Sequence, residues 1–418
     1  MMLAMPLPEP EVFSHFLPFR RLSPVEHCLL SRRVRIEQYR RGAELAAIGD
    51  TDGDEIFLLS GALTLVAQDG GRRRVDTGTA SALGAISQLR PRQFRVVADS
   101  LVEVLLVPLD VMHWLNQQAT NQFSVAELEL DENDDDDRLF AAMLTDLPQF
   151  RVNLPVTRAG AAAIRGIVNQ TNQGLAQLAQ AAMIEPSVAV RLIGAANHPL
   201  SAPGRNKQSC FEAAAHLGVE TTRRLLTVFT SSEFVPDRYS TIHARFAEAV
   251  RRSRECAYLC AQLAELTGTL VAANAYLAGL LHAVGEIAAL AYAEPWHELC
   301  LDKQRLEACL NRLRPTMGAT ILREYGFNSD AVLAASSATD WAREIEDGLD
   351  YADLVILSLL HSAIGTEHAR KVPPMHTIPA FARVTHGELS PSKSLAMIRT
   401  ARALADKARP PDWQFSVA

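Results

Sequence analysis

The sequence predicts an α+β protein of several domains, with strands gathered near the N-terminus and helices in the remainder. Residues 33–107 contain short alternating or apolar runs separated by turn residues, which is the pattern of β-strands. From residue 157 onward, apolar residues recur at spacings of three and four, which is typical of amphipathic helices. A length of 418 residues suits two or three such domains.

Local signals justify the first elements in order. Ser23-Pro24-Val25-Glu26 places a Ser at the N-cap, a Pro at the first helical position and a Glu at the third, which predicts a capping box and a short helix. Asp69-Gly70-Gly71 predicts a hairpin turn between two strands. The strands themselves are predicted in EIFLLSG (55–61), ALTLVAQ (62–68) and VEVLLVP (102–108).

Composition argues against several classes of protein. The net charge of -7, together with the lack of a helix-turn-helix signature after the strands, predicts no DNA partner. The N-terminus lacks a basic flank followed by an apolar core, so a cytoplasmic protein is expected. The apolar segment 266–285 is interrupted by Thr, Asn, Gly and His, which predicts a buried helix with its lead-in and no membrane partner.

The acidic run DENDDDDR at 131–138 separates the two kinds of pattern. Because like charges repel one another, this run predicts an exposed linker or the start of a helix. Cation binding is the alternative, but nothing in the spacing sets a ligand geometry. The chain is therefore divided into a domain over 10–118, an acidic linker or helix over 119–146, and a helical domain over 147–405.

The segment AAIGDTDGDEIFLLSGALTLVAQDG resembles the cyclic-nucleotide-binding domain. Gly49-Asp50 and Gly61 match the Gly-Asp turn of that family and the Gly that begins its next strand. The resemblance covers 10–118 and implies a β-roll flanked by short helices.

The resemblance also implies a place for a ligand. In that family a helix N-terminus and an Arg hold the cyclic phosphate, and a Glu accepts a hydrogen bond from the ribose 2′-hydroxyl. In the aligned stretch ALGAISQLRPRQFRVVA (82–98), Gly84 is present and Arg92 stands at the position of the phosphate Arg. Ala85 occupies the position of the Glu, so the acceptor for the ribose is missing.

Three interpretations of this stretch stay open. The roll binds no nucleotide, or it binds cyclic AMP as its relatives do, or it is retuned for another phosphate ligand such as cyclic di-GMP. The third interpretation depends on Arg90, Arg92 and Arg95, since guanidinium groups grip phosphates and stack on guanine. The alternative for these arginines is a solvated basic edge.

Residues 147–365 resemble the HDOD domain, a relative of the HD phosphohydrolases. This resemblance implies an all-α, HD-like helical bundle. Its landmarks occur in the expected order: Leu154-Pro155, Glu185-Pro186 where Asp-Pro is usual, Asn197, Leu217-Gly218 and AYLAGLLHAVGEIAAL.

An HD phosphohydrolase uses His and Asp ligands to hold a metal that activates water. The aligned positions hold Arg252, the dipeptide His282-Ala283, Arg314 and Asp353. Ala offers no lone pair and Arg brings a fixed positive charge, so no catalytic residue, metal or cofactor is expected. His282 is then either a core histidine or part of a pocket with Arg252, Arg314 and Asp353 that suits an anion.

Together these features predict a non-catalytic bacterial signal-transduction protein. Its β-roll is expected to sense a ligand or partner, and its HDOD domain to present a surface to other signalling proteins. The alternative is a metal-dependent phosphohydrolase of nucleotides or cyclic dinucleotides with an atypical site.

Overall fold

The computed structural model describes residues 7–121, 134–170, 172–201, 204–231, 240–345, 348–366, 369, 372–384 and 391–407. The chain divides into two compact units. The first consists of Met1–Leu128 with Pro199–Pro203, and the second of Glu129–His198 with Gly204–Ala418. Residues 122–133, which include part of the predicted linker, lie outside the described residues.

The first unit contains two antiparallel sheets. Its elements are α1 (Pro24–Leu30), β1 (Arg35–Tyr39), β2 (Glu44–Ala46), β3 (Glu55–Ser60), β4 (Ala62–Ala67), β5 (Arg72–Asp76), β6 (Phe94–Ala98), β7 (Val102–Val107) and α2 (Leu109–Asn121). One sheet has the strand order β1-β7-β3 and the other has the order β2-β6-β4-β5. Apolar side chains from both sheets, among them Ile56, Leu63, Val96 and Val104, form one buried core. The predicted β-roll is therefore confirmed.

Local sequence signals set the ends of these elements. The Ser23 hydroxyl accepts from the backbone N–H of Glu26, and the Glu26 carboxylate accepts from the backbone N–H of Ser23, so the predicted capping box is present. Strands β4 and β5 pair as the hairpin predicted from the glycine-rich turn. Gly61 has a φ of +91° and a Cβ there would lie 2.5 Å from the carbonyl oxygen of Leu101, so only glycine fits between β3 and β4.

The second unit is a helical bundle, as predicted. Its helices are α3 (Asp135–Asp146), α4 (Arg158–Val168), α5 (Leu175–Ala182), α6 (Pro186–Asn197), α7 (Cys210–Leu217), α8 (Val219–Ser231), α9 (Ser240–Thr267), α10 (Ala272–Leu281), α11 (Val284–Ala293), α12 (His297–Leu301), α13 (Lys303–Glu324), α14 (Ser329–Ser336), α15 (Tyr351–Ala363), α16 (Pro379–Arg383) and α17 (Pro391–Asp406). The long helix α9 packs against α10, α15 and α17.

Glycines let two helix pairs approach closely. A Cβ on Gly279 would lie 2.7 Å from the Cα of Ala257, where α10 crosses α9. A Cβ on Gly285 would lie 2.0 Å from the carbonyl oxygen of Arg314, where α11 crosses α13. These crossings bring the backbone around residues 282–286 close to α9 and α13.

The apolar stretch Ala272–Ala293 is long and apolar enough to cross a membrane, but its most apolar 18 residues are 100% buried inside the bundle. This burial agrees with the prediction of a buried helix. The stretch is two helices, however, because α10 ends at Leu281 and α11 begins at Val284. The break falls on His282-Ala283, the dipeptide singled out from the sequence.

In the described part of the acidic run the predicted helix start is present, but two of its side chains are less exposed than the sequence predicts. Asp134 caps α3 and its carboxylate accepts from the backbone N–H of Asp136. The side chains of Asp135 and Asp136 are only 11% and 13% exposed, because they pair with Arg305 and Arg312 of α13. Partners distant in the sequence neutralise charges that would otherwise repel one another.

Candidate functional site

His282 lies at the break between α10 and α11 and is 2% exposed. Its Nδ1 atom lies 2.7 Å from the carbonyl oxygen of Gly279. Since a carbonyl oxygen only accepts, Nδ1 carries the proton, and Nε2 has no hydrogen-bond partner among the described residues. Burial lowers the pKa of His282 to about 4, and the charges of Arg252 and Arg314 also lower it. The imidazole is therefore neutral near pH 7.

Glu286 follows one helical turn later and is fully buried. Arg252 donates from Nη2 to Oε2 of Glu286 at 2.5 Å, Nε of Arg314 lies 3.1 Å from the same oxygen, and Nη2 of Arg245 lies 3.0 Å from Oε1. Burial acts to raise the pKa of Glu286, but the charges of the three arginines hold it at about 2. Glu286 is therefore a carboxylate shared by three guanidinium groups.

A pocket of about 140 Å³ opens beside this cluster. Trp341, Leu359 and Val372 form its apolar wall. Its charged and titratable lining consists of Glu248, Arg251, Arg252, Glu255, His282 and Arg314. The structure thus brings together three of the residues predicted at the HD positions, and it does so around a carboxylate that the alignment did not include.

The family resemblance implies a metal at this place, but these side chains do not fit one. A divalent cation needs several lone-pair donors, and two of the aligned positions hold guanidinium groups that have none. Ala283 is fully buried and offers no donor atom. The nearest carboxylate, Glu286, already binds three arginines. His282 is left as a single donor atom beside two positive charges.

Asp353 does not join this group. It lies in the first turn of α15, is fully buried, and does not line the pocket. Its Oδ1 accepts from Arg343 at 2.8 Å and from Nη2 of Arg383 at 2.7 Å, and its Oδ2 accepts from Nε of Arg383 at 2.8 Å. The predicted pocket of His282, Arg252, Arg314 and Asp353 is therefore wrong in its last member, because α15 directs that carboxylate to other arginines.

In the β-roll, Arg90 and Arg92 lie together, since both donate to the carbonyl oxygen of Ser87, at 3.2 and 3.1 Å. Arg92 is 3% exposed, and its guanidinium donates to the carbonyl oxygens of Asp54 and Ser87 at 2.8 and 3.1 Å. Arg90 pairs with Glu55 at 2.9 Å. Arg95 lies on β6, half exposed, 3.8 Å from Glu44. Two of the three arginines thus bind groups of the β-roll itself.

A second pocket, of about 360 Å³, lies in the β-roll beside the loop that follows β5. Arg73, Ser81, Ala85 and Phe94 are among its lining residues, whereas Gly84, Arg90, Arg92 and Arg95 are not. Arg73 donates to the hydroxyl of Ser81 at 2.7 Å. The positive charge that faces this pocket therefore comes from strand β5.

Three residues at these sites were not predicted from the sequence: Glu286, Arg245 and Arg73. Glu286 carried a usable signal, since a single carboxylate inside the apolar run VGEIAALAYA has to be paired if the run is buried. Arg245 and Arg73 carried none, because each occurs among other charged residues and only the fold selects it.

The buried neutral histidine predicts a pH dependence of stability. The pKa of His282 is about 4 in the folded protein and about 6.5 in an unfolded chain. Between these values the unfolded state binds a proton that the folded state does not, so the free energy of unfolding falls as the pH drops from 6.5 toward 4.

Urea unfolding followed by circular dichroism at several pH values measures the slope of the free energy of unfolding against pH. The slope should be shallower in His282→Gln, and an unchanged slope would refute the assignment. His198, whose pKa burial lowers to about 4, supplies a residual slope in both proteins.

Comparison with known proteins gives a family for part of the chain. Residues 154–341 match the family model of the HDOD domain. No curated protein matches the chain.

Solved structures resemble parts of the chain. The MmoQ response regulator of Methylococcus capsulatus is 19% identical to this chain and has a TM-score of 0.47. The match covers 60% of this chain and 99% of the regulator's chain. A proposed metal-dependent phosphohydrolase of Shewanella amazonensis is 17% identical, covers 65% of this chain with 99% of its own, and has a TM-score of 0.39. A cyclic nucleotide-binding-like protein of Brucella abortus is 22% identical, covers 26% of this chain with 97% of its own, and has a TM-score of 0.21.

Proposed function

Because residues 154–341 of this chain form an HDOD domain, we propose that the protein is a non-catalytic bacterial signal-transduction protein. In this proposal the β-roll senses a ligand or a partner, and the helical unit presents a surface to another signalling protein in the cytoplasm. A ligand transmits a signal only if it prefers one of two arrangements of the protein, so its differential affinity sets the size of the response.

The non-catalytic part of the proposal depends on one observation: the guanidinium groups of Arg245, Arg252 and Arg314 surround the carboxylate of Glu286. Arg252 and Arg314 stand at positions that the family resemblance gives to metal ligands, and both bind this buried carboxylate. A guanidinium cannot be deprotonated in a protein, so it repels a divalent cation at any working pH. These contacts favour a structural role for the former metal positions.

The rival proposal is a metal-dependent phosphohydrolase, and it can be tested directly. We expect purified protein to hold no stoichiometric metal and to hydrolyse neither nucleotides nor cyclic dinucleotides with manganese present. Metal analysis and product assays measure both quantities. Stoichiometric metal together with turnover that disappears in His282→Ala would overturn the non-catalytic proposal.

The sensing part is supported by the pocket in the β-roll. Arg73 offers a guanidinium to a phosphate and Phe94 offers an aromatic face, whereas Ala85 offers no acceptor to a ribose. Calorimetric titration with cyclic AMP, cyclic GMP and cyclic di-GMP tests all three ligands. Binding that weakens in Arg73→Ala but not in Arg72→Ala would place the ligand here, because neighbouring residues on a strand face opposite sides. No heat with any of them at sub-millimolar concentration would leave the roll as a partner-sensing unit.

The proposed contact between the helical unit and another signalling protein is tested by a pull-down with the full-length protein as bait. We expect it to retain a signalling protein from a lysate of its own host, and a cross-link to the helical unit would locate the contact. Cross-links confined to the β-roll would contradict the proposed direction of signalling.

A further inference from the structure

We propose that the pocket beside His282 binds a small anion of the phosphate class. In this arrangement Arg252 and Arg314 bind the anionic oxygens, and Nε2 of His282 accepts a hydrogen bond from a P–OH group. This inference goes beyond the signalling role, since it adds a ligand site to the helical unit. It stands or falls independently of what the β-roll binds.

Arg252 and Arg314 each have guanidinium N–H donors that make no hydrogen bond within the described residues. Both guanidinium groups line the pocket, and their side chains are 18% and 12% exposed. Among the described residues, Arg252 makes a single hydrogen bond, to Glu286, and Arg314 donates to Asn311 at 3.3 Å. A guanidinium carries five N–H donors, so most of these groups are unused. Paired guanidiniums with unused donors match the geometry of a phosphate.

The charges around the pocket favour an anion by a small excess. The carboxylates of Glu248 and Glu255 also line it, but Arg251 pairs with both, at 2.8 and 3.0 Å. Arg402 also pairs with Glu255, at 3.0 Å. Five guanidinium groups therefore meet four carboxylates, the fourth being Glu307 beside Arg245. Arg251 and Arg402 neutralise Glu248 and Glu255. Arg245, Arg252 and Arg314 exceed Glu286 and Glu307 by one positive charge, and this charge favours an anion in the pocket.

His282 makes the site selective. Its Nδ1 proton is directed to Gly279, and its low pKa keeps the ring neutral, so Nε2 can only accept a hydrogen bond. Phosphate keeps a P–OH group at neutral pH, whereas sulfate has the same shape without a proton. Sulfate would leave Nε2 unpaired and would place an oxygen lone pair against it, which is unfavourable in a buried site.

The size of the pocket fits this ligand class. A buried water needs about 10–15 Å³ of pocket space, so a pocket of about 140 Å³ has room for a phosphate and for part of an organic group. The wall of Trp341, Leu359 and Val372 lies beside the polar groups. It offers an apolar surface to the organic part of a phosphate monoester.

Calorimetry on the full-length protein at pH 7.5 and constant ionic strength tests the proposal. We expect saturable binding of inorganic phosphate, about tenfold tighter than that of sulfate. Phenyl phosphate at pH 5.5 distinguishes two sources of the anion, because the second pKa of a phosphate monoester is about 6 and the ester keeps its P–OH group only below that pH. Tighter binding than that of inorganic phosphate at the same pH indicates a monoester, and weaker binding indicates free phosphate. Absence of phosphate binding, or equal affinities for phosphate and sulfate, would overturn the proposal.

Matched variants locate the site. Arg252→Gln removes a guanidinium that lines the pocket and should weaken phosphate binding at least tenfold. Arg305→Gln removes a guanidinium of α13, the helix of Arg314, that pairs with Asp135 and does not line the pocket, so the affinity for phosphate should stay within about twofold of the original. Equal losses in the two variants, or full binding in Arg252→Gln, would refute this site.

The role of His282 has its own readout. His282→Leu should bind sulfate as before and lose the preference for phosphate. If that variant does not fold, nitrogen NMR of the imidazole in the unmodified protein replaces it. Phosphate, and not sulfate, should then shift the Nε2 resonance of His282, and an unshifted resonance at saturating phosphate would overturn its role.

Discussion

Replacing Glu286 by Gln should lower the free energy of unfolding of the helical unit by about 3–5 kcal/mol. The carboxylate is fully buried, and it is the shared counter-charge of Arg245, Arg252 and Arg314. Gln has nearly the same shape but no charge, so the three guanidinium groups would face one another without neutralisation. Urea unfolding followed by circular dichroism at 222 nm measures the loss.

Glu307→Gln is the matched control for this variant. Glu307 belongs to the same network, since it pairs with Arg245 at 3.1 Å, but its side chain is 49% exposed. Solvent screens such a pair, so we expect a loss below about 1 kcal/mol. Similar losses in the two variants would show that Glu286 is not the centre of the cluster.

Replacing Asp353 by Asn should also cost about 3–5 kcal/mol. Its two oxygens accept three hydrogen bonds from Arg343 and Arg383 in a fully buried position. Arg343 keeps Asp350 as a partner, but among the described residues Arg383 keeps only a weak contact, at 3.4 Å, with the carbonyl oxygen of Arg343. The loss follows mainly from the buried charge of Arg383, and thermal and urea unfolding should both record it.

This variant separates a structural Asp353 from a metal ligand. If Asp353 binds a metal, a chelator should destabilise the unmodified protein and should have no effect on Asp353→Asn. We expect the chelator to leave the stability of both proteins unchanged. Asp330→Asn, an exposed residue in the first turn of α14, should lie within about 0.5 kcal/mol of the original.

Elements that depend on neighbouring residues were predictable from the sequence. The capping box of Ser23 and Glu26 and the hairpin around Gly70 involve groups within a few residues of one another. Their geometry follows from local hydrogen bonding and from the φ angles that glycine permits. The helical periodicity of the second unit was predictable for the same reason, since the apolar spacing records which face is buried.

The partners of charged residues were not predictable in this way. The sequence suggested that Arg90, Arg92 and Arg95 bind a ligand together, but Arg92 donates to the carbonyl oxygens of Asp54 and Ser87, and Arg73 lines the pocket instead. Likewise, the sequence predicted that the acidic run around Asp136 is exposed to solvent, whereas in the structure Asp136 pairs with Arg312 of α13. A charge at a given position has many candidate partners, and its spacing along the chain does not choose among them.

The sequence by itself determined the fold class and the position of the β-roll and of the helical bundle, and it predicted which residues stand at the aligned metal positions. Only the tertiary structure decided the partners of these residues: a carboxylate, Glu286, is shared by Arg245, Arg252 and Arg314, and Asp353 binds other arginines. The reason is physical. Backbone preferences and apolar periodicity act over a few residues, whereas the pairing of buried charges depends on which helices cross, and at Gly285 that crossing is closer than any side chain would allow.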